Sequence, residues 1–247
     1  MDHHTVAAIS IAGSCLDVLG SLYLAYDLLG GPHGPLRLLT RAVTYSILFG
    51  LGYGLGLGLL FGVASGLALG VTIAIELNRT SRRQDHYSLP WEALFSAIRA
   101  SAFSAALYPQ VGLRFAVIYG ALLAGGQVIA YARGVRPSLQ YFVTSRPRFT
   151  RVFLISTAIR TAGYIAAAVL CSVFVRHLDH PWLFATRLGV VTGLVTGVGM
   201  AFSPHVEYYA DHMPQRLMGV VGVALMFCGF ALQSAQYWIA IFDVHVT

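Results

Sequence analysis

The chain has 247 residues, of which 57% are hydrophobic and only 11% are charged, and its formal net charge is +6. About a quarter of the residues of a soluble domain are charged, so this composition excludes an ordinary soluble fold. It predicts an all-α, polytopic bundle of transmembrane helices. We expect one integral membrane domain over residues 1–247, without a soluble domain.

The basic residues are all arginine, and the absence of lysine excludes chemistry that needs a lysine amine. A retinal or pyridoxal Schiff base, and hence a rhodopsin, is ruled out, and a Walker A loop is disfavoured. Arginines beside apolar segments indicate contact with anionic lipid headgroups rather than with nucleic acid. No pattern identifies a cofactor. The expected location is a bacterial-type inner membrane.

A bilayer core of about 30 Å needs roughly 20 apolar residues of helix. The uncharged run Ala42–Ile75 would form one helix of about 50 Å, so we expect a hairpin near Leu59. The chain then has eight spans, and without the hairpin it has seven. In chain order, the segments expected to span are Val6–Leu29, Ala42–Ile75, Trp91–Tyr108, Leu113–Ala132, Val152–Val175, Leu188–Phe202 and Leu217–Phe242.

Two patterns disagree about the number of spans. Eight spans place both termini outside and most loop arginines inside, as the positive-inside rule favours. The motif Ala97–Arg99 recurs as Ala158–Arg160 near the start of a span, and Thr40–Arg41 and Thr186–Arg187 each open a glycine-rich span on opposite sides of the possible hairpin. Direct repeats would share one orientation, which only seven spans allow.

A glycine ladder is the strongest local signal. Glycine at every fourth position clears one face of a helix, so that a second backbone can approach closely. The second helix belongs either to the same chain or to another copy in a homo-oligomer. The ladder consists of Gly50, Gly54, Gly58, Gly62, Gly66 and Gly70.

The alternating glycines from Gly50 to Gly58 resemble the glycine-rich helix of rotary ATPase c-subunits. That resemblance covers nine residues and implies a carboxylate at mid-membrane in the following helix. Here the nearest acid, Glu76, lies at the end of the apolar run. The c-subunit function is therefore not carried over to this chain.

Two arginines lie about eight residues inside spans, Arg99 and Arg160, and no acidic residue occurs between Glu92 and Asp179. A buried arginine costs several kcal/mol unless it snorkels, pairs or lines water. The two arginines therefore either snorkel to the inner headgroups or attract an anion into a cavity. Asp17 is the acid deepest in a span, and is either an ion-pair partner of one arginine or a protonatable carrier group.

Histidines and acids cluster after the predicted segment Leu188–Phe202, where a candidate metal site consists of His205, Glu207, Asp211 and His212. Polar loops also produce such clusters by chance, and the spacing matches no metal-enzyme motif. A second cluster, His177–His180, lies in a loop expected outside. The three cysteines lie in apolar stretches and predict neither a disulfide nor a metal site.

The sequence favours a small membrane transporter or channel, with an anion as one candidate substrate, that uses Asp17, Arg99 and Arg160. The first alternative is a non-catalytic anchor or assembly subunit with a partner in a membrane complex. The second is an intramembrane metal-dependent enzyme built on the histidine clusters. The absence of a catalytic motif makes an enzyme the less favoured class.

Overall fold

The structure is a computed structural model that describes residues 3–29, 31, 34–81, 88–133, 151–172, 180–212 and 215–241. These residues form seven helices and no strand. In chain order the helices are α1 (His3–Leu28), α2 (Arg37–Leu57), α3 (Leu59–Ser81), α4 (Leu89–Ala132), α5 (Arg151–Cys171), α6 (Pro181–His212) and α7 (Gln215–Ile241).

Six of the described helices are long and apolar enough to cross a membrane, and α5 adds a shorter apolar segment, Thr161–Cys171. Large apolar side chains lie on their outer faces: Leu55 is 85% and Leu170 is 68% exposed. Such surfaces suit acyl chains better than water. The architecture is compatible with a multi-pass membrane protein, while the eight-span topology stays a prediction.

Helix α6 differs from the predicted segment Leu188–Phe202 at both ends. It begins at Pro181, where the first helical position tolerates proline, and it continues to His212. The polar stretch expected to leave the helix after Phe202 is therefore helical. Residues 203–212 contain no glycine that would end the helix.

The chain forms two compact units, Met1–Thr40 with Ala210–Thr247, and Arg41–Tyr209. The prediction of one membrane domain over the whole chain stays a prediction. In the first unit α1 packs against α7 through glycines seven residues apart. A Cβ atom placed on Gly20 would lie 2.5 Å from the carbonyl oxygen of Gly222, and one on Gly13 would lie 2.7 Å from that of Gly229.

In the second unit a single residue joins α2 to α3. Gly58 has φ +104°, a conformation that L side chains rarely adopt, and it lies next to the predicted hairpin at Leu59. A Cβ atom there would meet nothing within 4 Å. Gly58 thus forms a turn and does not take part in a close helix approach.

Beyond this turn the backbones of α2 and α3 come together. A Cβ atom on Gly62 would lie 2.6 Å from the Gly50 carbonyl oxygen, and one on Gly66 would lie 2.7 Å from the Gly50 Cα atom. At Gly70 the distance to the Ala42 carbonyl oxygen would be 2.7 Å. Any side chain at these three positions would push main-chain atoms apart.

Helix α4 consists of two halves that fold back on each other. Gly112 has φ +78° and ψ 168°, and it follows Pro109, where the sequence predicts a turn. The Ser104 hydroxyl donates to the Ala116 carbonyl oxygen at 2.7 Å. A Cβ atom on Gly120 would lie 3.2 Å from the Ala100 carbonyl oxygen, which a straight helix would hold about 30 Å away.

Helix α6 packs along both α2 and α5. Tyr53 on α2 shares a hydrogen bond of 2.6 Å with Thr196 on α6. Gly193 on α6 lies against α5, because a Cβ atom there would be 2.8 Å from the Thr161 Cα atom. Helices α2 to α6 therefore surround one interior, and its polar groups form the candidate site.

Candidate functional site

Arg99 lies in the first half of α4 and is only 5% exposed. Its Nε atom donates to Thr72 Oγ1 at 2.7 Å, and its Nη2 atom donates to Glu76 Oε2 at 3.0 Å. Both acceptors belong to α3, where a spacing of four residues puts them on one helix face. The guanidinium is thereby held in one orientation by two side chains of the neighbouring helix.

This ion pair shows that Glu76, which lies at the end of the uncharged run Ala42–Ile75, is an acid within reach of Arg99 from the neighbouring helix. Helix α3 continues past the apolar run to Ser81, so Glu76 is an interior helical residue and is 3% exposed. The pair is costly to bury, and removing one partner leaves an uncompensated charge. Arg99 therefore does not need to snorkel to the headgroups.

A second polar group lies two turns earlier on the same face of α4. Glu92 is fully buried, and Ser96 Oγ lies 3.2 Å from its Oε1 atom. The same hydroxyl oxygen lies 3.1 Å from Gln127 Oε1, on the second half of α4. Glu92, Ser96 and Gln127 thus form a continuous chain of polar atoms, which we call the Glu92 chain.

Arg99 and the Glu92 chain border a cavity of about 260 Å³, referred to below as the Arg99 cavity. Its polar lining comes from Glu92, Arg99, Gln127, Tyr164 and Thr196, and the remaining lining is apolar or glycine. This volume lies just below the usual range of about 300–1,000 Å³ for small-molecule pockets. A few polar groups in an apolar cavity are typical of a site that orients a small ligand.

The rim of the Arg99 cavity is apolar. Leu122 on α4 and Ile159 on α5 line it and are 44% and 59% exposed, whereas the charged groups behind them are buried. Within the described residues the cavity therefore opens between the second half of α4 and α5. A polar group that enters has to pass apolar side chains before it reaches Arg99.

The roles predicted for Asp17 and Arg160 stay predictions. The Asp17 carboxylate accepts a hydrogen bond from the Gln233 amide in the first unit. One reading of Asp17 was an ion pair with Arg99 or Arg160, but the acid bound to Arg99 is Glu76. Arg160 belongs to α5, and its side chain lies outside the described residues.

The predicted metal site also stays untested. His205, Glu207, Asp211 and His212 belong to α6, and their side chains lie outside the described residues. Elsewhere in the described part of the chain, no three His, Cys, Asp or Glu side chains are placed to hold a metal ion. Residues 177–179 of the other histidine cluster are likewise outside it.

No protein-family model, curated protein or solved structure matches this chain.

The sequence analysis did not select as site residues Glu76, Glu92, Ser96 or Gln127. One signal was present, because Glu92, Ser96 and Arg99 are spaced by four and then three residues. That spacing places all three on one face of a helix. A polar stripe in an otherwise apolar span indicates an interior that is not purely hydrocarbon.

Proposed function

We propose that this chain is a small multi-pass membrane transporter or channel whose substrate occupies the Arg99 cavity. The observation that carries this proposal is a buried arginine, held by Thr72 and Glu76, that also lines a cavity. Ionisable groups inside membrane segments are expensive and usually mark a substrate or ion pathway. The fixed guanidinium is preorganised to meet a ligand.

The substrate class follows from the lining. Arg99 uses one hydrogen on Nε and one on Nη2 for its bonds to α3, and the proposed ligand binds to the remaining guanidinium hydrogens. The apolar rim at Leu122 and Ile159 favours a molecule with a hydrocarbon part. We therefore infer a small amphipathic substrate with a hydrogen-bond acceptor. A short-chain carboxylate meets this description, and it is also an anion, as the sequence analysis suggested.

The charge balance argues against a site for bare anions. Glu76 offsets the positive charge of Arg99, and the Glu92 carboxyl group lies in the same cavity wall. A small inorganic anion would gain little net attraction there. Hydrogen-bond geometry and apolar contact, rather than charge alone, would select the substrate.

The proposed topology has eight crossings, with both termini outside. A straight helix of the 44 residues of α4 would be roughly 66 Å long, more than twice the bilayer core. The break at Gly112 supports two crossings, and the break at Gly58 supports two more for α2 and α3. The close glycine contacts of α2 with α3 support packing within one chain rather than an oligomer interface.

Flux in vesicles tests the proposal. Purified protein is reconstituted into phosphatidylcholine–phosphatidylglycerol vesicles, and uptake of labelled butyrate is compared with that of chloride. We expect saturable butyrate uptake, its loss in Arg99→Gln and partial retention in Arg99→Lys, which keeps a charge but not the planar fork. The matched control is Arg114→Gln, because Arg114 is exposed and does not line the cavity.

The anchor or assembly-subunit function makes the opposite prediction. If Arg99 and Glu76 are only structural, protein-free and protein-containing vesicles will take up butyrate at the same rate. Saturable uptake that Arg99→Gln leaves unchanged would instead place the substrate outside the Arg99 cavity. Metal content of the purified chain tests the enzyme alternative separately.

A further inference from the structure

Two glycines border the opening of the Arg99 cavity. Gly126 on the second half of α4 and Gly163 on α5 both line the cavity, and both are exposed. A Cβ atom placed on either of them would meet no described atom within 4 Å. At Gly62 and Gly193, which serve helix contacts, a Cβ atom would instead lie 2.6 Å from an atom of the neighbouring helix. Gly126 and Gly163 therefore leave open space between α4 and α5 and do not serve close packing.

The opening lies at the same height along the helices as Arg99. The approach of Gly120 to Ala100 aligns the two halves of α4, so Leu122 at the rim lies beside the turn that carries Arg99. Arg99 is ten residues after the first residue of α4 and ten residues before Pro109. Ten residues of helix are about 15 Å long, which is half of a bilayer core of about 30 Å. In the proposed topology the opening therefore faces the middle of the hydrocarbon layer.

This depth decides from which phase a substrate arrives. A molecule dissolved in water would have to cross about 15 Å of hydrocarbon to reach the opening, whereas a lipid-borne molecule is already beside it. The exposed rim residues Leu122 and Ile159 are apolar. A hydrocarbon chain exchanges one apolar surrounding for another when it lies between them, because lipid tails are as apolar as leucine. The opening thus suits a molecule whose chain stays in the bilayer.

We propose that the Arg99 cavity takes up a fatty acid sideways from the bilayer. Its carboxyl group binds at Arg99, and its hydrocarbon chain leaves the cavity between Gly126 and Gly163 and extends into the lipid. The inference rests on the proposed transport function and deepens it, because it names the substrate class and the route of entry. The class is carboxylic acids with a single hydrocarbon chain.

The head group has to be neutral on its way to the cavity and polar enough to bind in it. A protonated carboxylic acid carries no charge through the hydrocarbon, whereas an ionised group would be costly there. Its carbonyl oxygen accepts from the Arg99 hydrogens that Thr72 and Glu76 do not use, and its hydroxyl group meets the acceptor oxygens of Glu92 in the cavity wall. Because Glu76 offsets the charge of Arg99, the site offers little net attraction to a permanently ionised phosphate. A phospholipid is thereby disfavoured.

Electron paramagnetic resonance of spin-labelled stearic acid tests the proposal. Purified protein is reconstituted into phosphatidylcholine–phosphatidylglycerol vesicles that contain stearic acid with a nitroxide either near the carboxyl group or near the chain end. We expect the label near the carboxyl group to show a larger immobilised fraction than spin-labelled phosphatidylcholine, which reports lipid at the outer surface of the protein. The label near the chain end should show no such excess, because that part of the chain lies in the bilayer.

Leucine in place of either glycine closes the opening without touching the ion pair. Gly163→Leu and Gly126→Leu should each abolish the excess immobilised fraction. Gly125→Leu is the matched control on the same helix, because a Cβ atom there also meets nothing within 4 Å but Gly125 does not line the cavity. It should keep the excess.

A probe without a head group tests the role of Arg99 in unaltered protein. A nitroxide-labelled alkane of the same length has no hydrogen-bond acceptor, so it should show no excess over phosphatidylcholine. The proposal is overturned by any of three results: no excess for the fatty acid, an equal excess for the alkane, or equal immobilisation of both fatty-acid labels. An excess that Gly163→Leu and Gly126→Leu leave unchanged also overturns it, because the acid would then bind elsewhere.

The two proposals fail in different ways. If the fatty acid shows the excess but butyrate uptake is absent, the transport function fails and the cavity stands as a fatty-acid site. If butyrate uptake is saturable and Arg99→Gln abolishes it, but the fatty acid shows no excess, the sideways entry alone fails.

Discussion

Arg187 donates two hydrogen bonds to the carbonyl oxygen of Gly56, from Nε at 3.2 Å and from Nη2 at 2.9 Å. Gly56 lies in the last turn of α2, whose carbonyl groups have no partner further along the helix. A cation is also favoured at that end of a helix dipole. The arginine of α6 thus completes the end of α2 just before the Gly58 turn.

Arg187→Gln should lower the stability of the second unit. Arg187 is exposed, so we expect a loss of only about 0.5–1.5 kcal/mol, the net value of ordinary hydrogen bonds. Thermal unfolding of the purified protein in detergent measures it. Arg114→Gln removes another exposed arginine, and equal effects of the two variants would argue against a specific role at Gly56.

The ion pair of Arg99 with Glu76 should show strong coupling. Arg99→Leu or Glu76→Leu alone leaves one buried charge without its partner, and each should cost about 3–5 kcal/mol. The double variant should be less destabilised than the sum of the two. A double-mutant cycle of unfolding free energies gives the coupling, and additive effects would contradict the pairing.

The approach of α2 to α3 should not tolerate a methyl group. In Gly62→Ala the new Cβ atom would lie 2.6 Å from one backbone oxygen and 2.7 Å from the Gly54 Cα atom, so we expect a loss of about 1–3 kcal/mol. Gly125→Ala is the control, because a Cβ atom there meets nothing within 4 Å. Alanine there should be neutral or should stabilise the helix by about 0.5–1 kcal/mol. Equal melting temperatures of both variants would exclude close packing at Gly62.

Asp17 and Gln233 give a test of the first unit. Asp17→Asn keeps an oxygen that accepts from the Gln233 amide, so we expect only a small loss of stability. Asp17→Leu removes the acceptor and leaves the amide unsatisfied, at a cost of about 1–3 kcal/mol. Protease sensitivity of α1 and α7 in detergent distinguishes the two variants. A large effect of Asp17→Asn would show that charge, not the hydrogen bond, is what matters there.

Much of the helix pattern could be predicted from the sequence, because breaks in apolar runs have local causes. The hairpin expected near Leu59 lies beside Gly58, and the turn expected at Pro109 lies three residues before Gly112. Positive φ angles favour glycine, so a glycine in the sequence marks the position of each break. The end of α6 was not predicted, since polar residues can continue a helix as well as leave it.

The sequence predicted the central arginine of the site but not the residues that bind it. Arg99 was selected because a charge within an apolar run is costly wherever the run folds. Its partner Glu76 was placed at the end of the apolar run, because hydropathy ends a span at its first charge, whereas helix α3 continues to Ser81. Which acid meets Arg99 depends on how α3 packs against α4, and that contact is not encoded by spacing within either helix.

The Gly58 turn also constrains how the protein is made. One residue connects α2 to α3, so no polar loop separates the two helices. One helix therefore cannot enter the lipid while a hydrated loop keeps the other outside. If α2 and α3 cross a membrane, we expect them to enter it together, and glycine is what permits both the bend and the pairing.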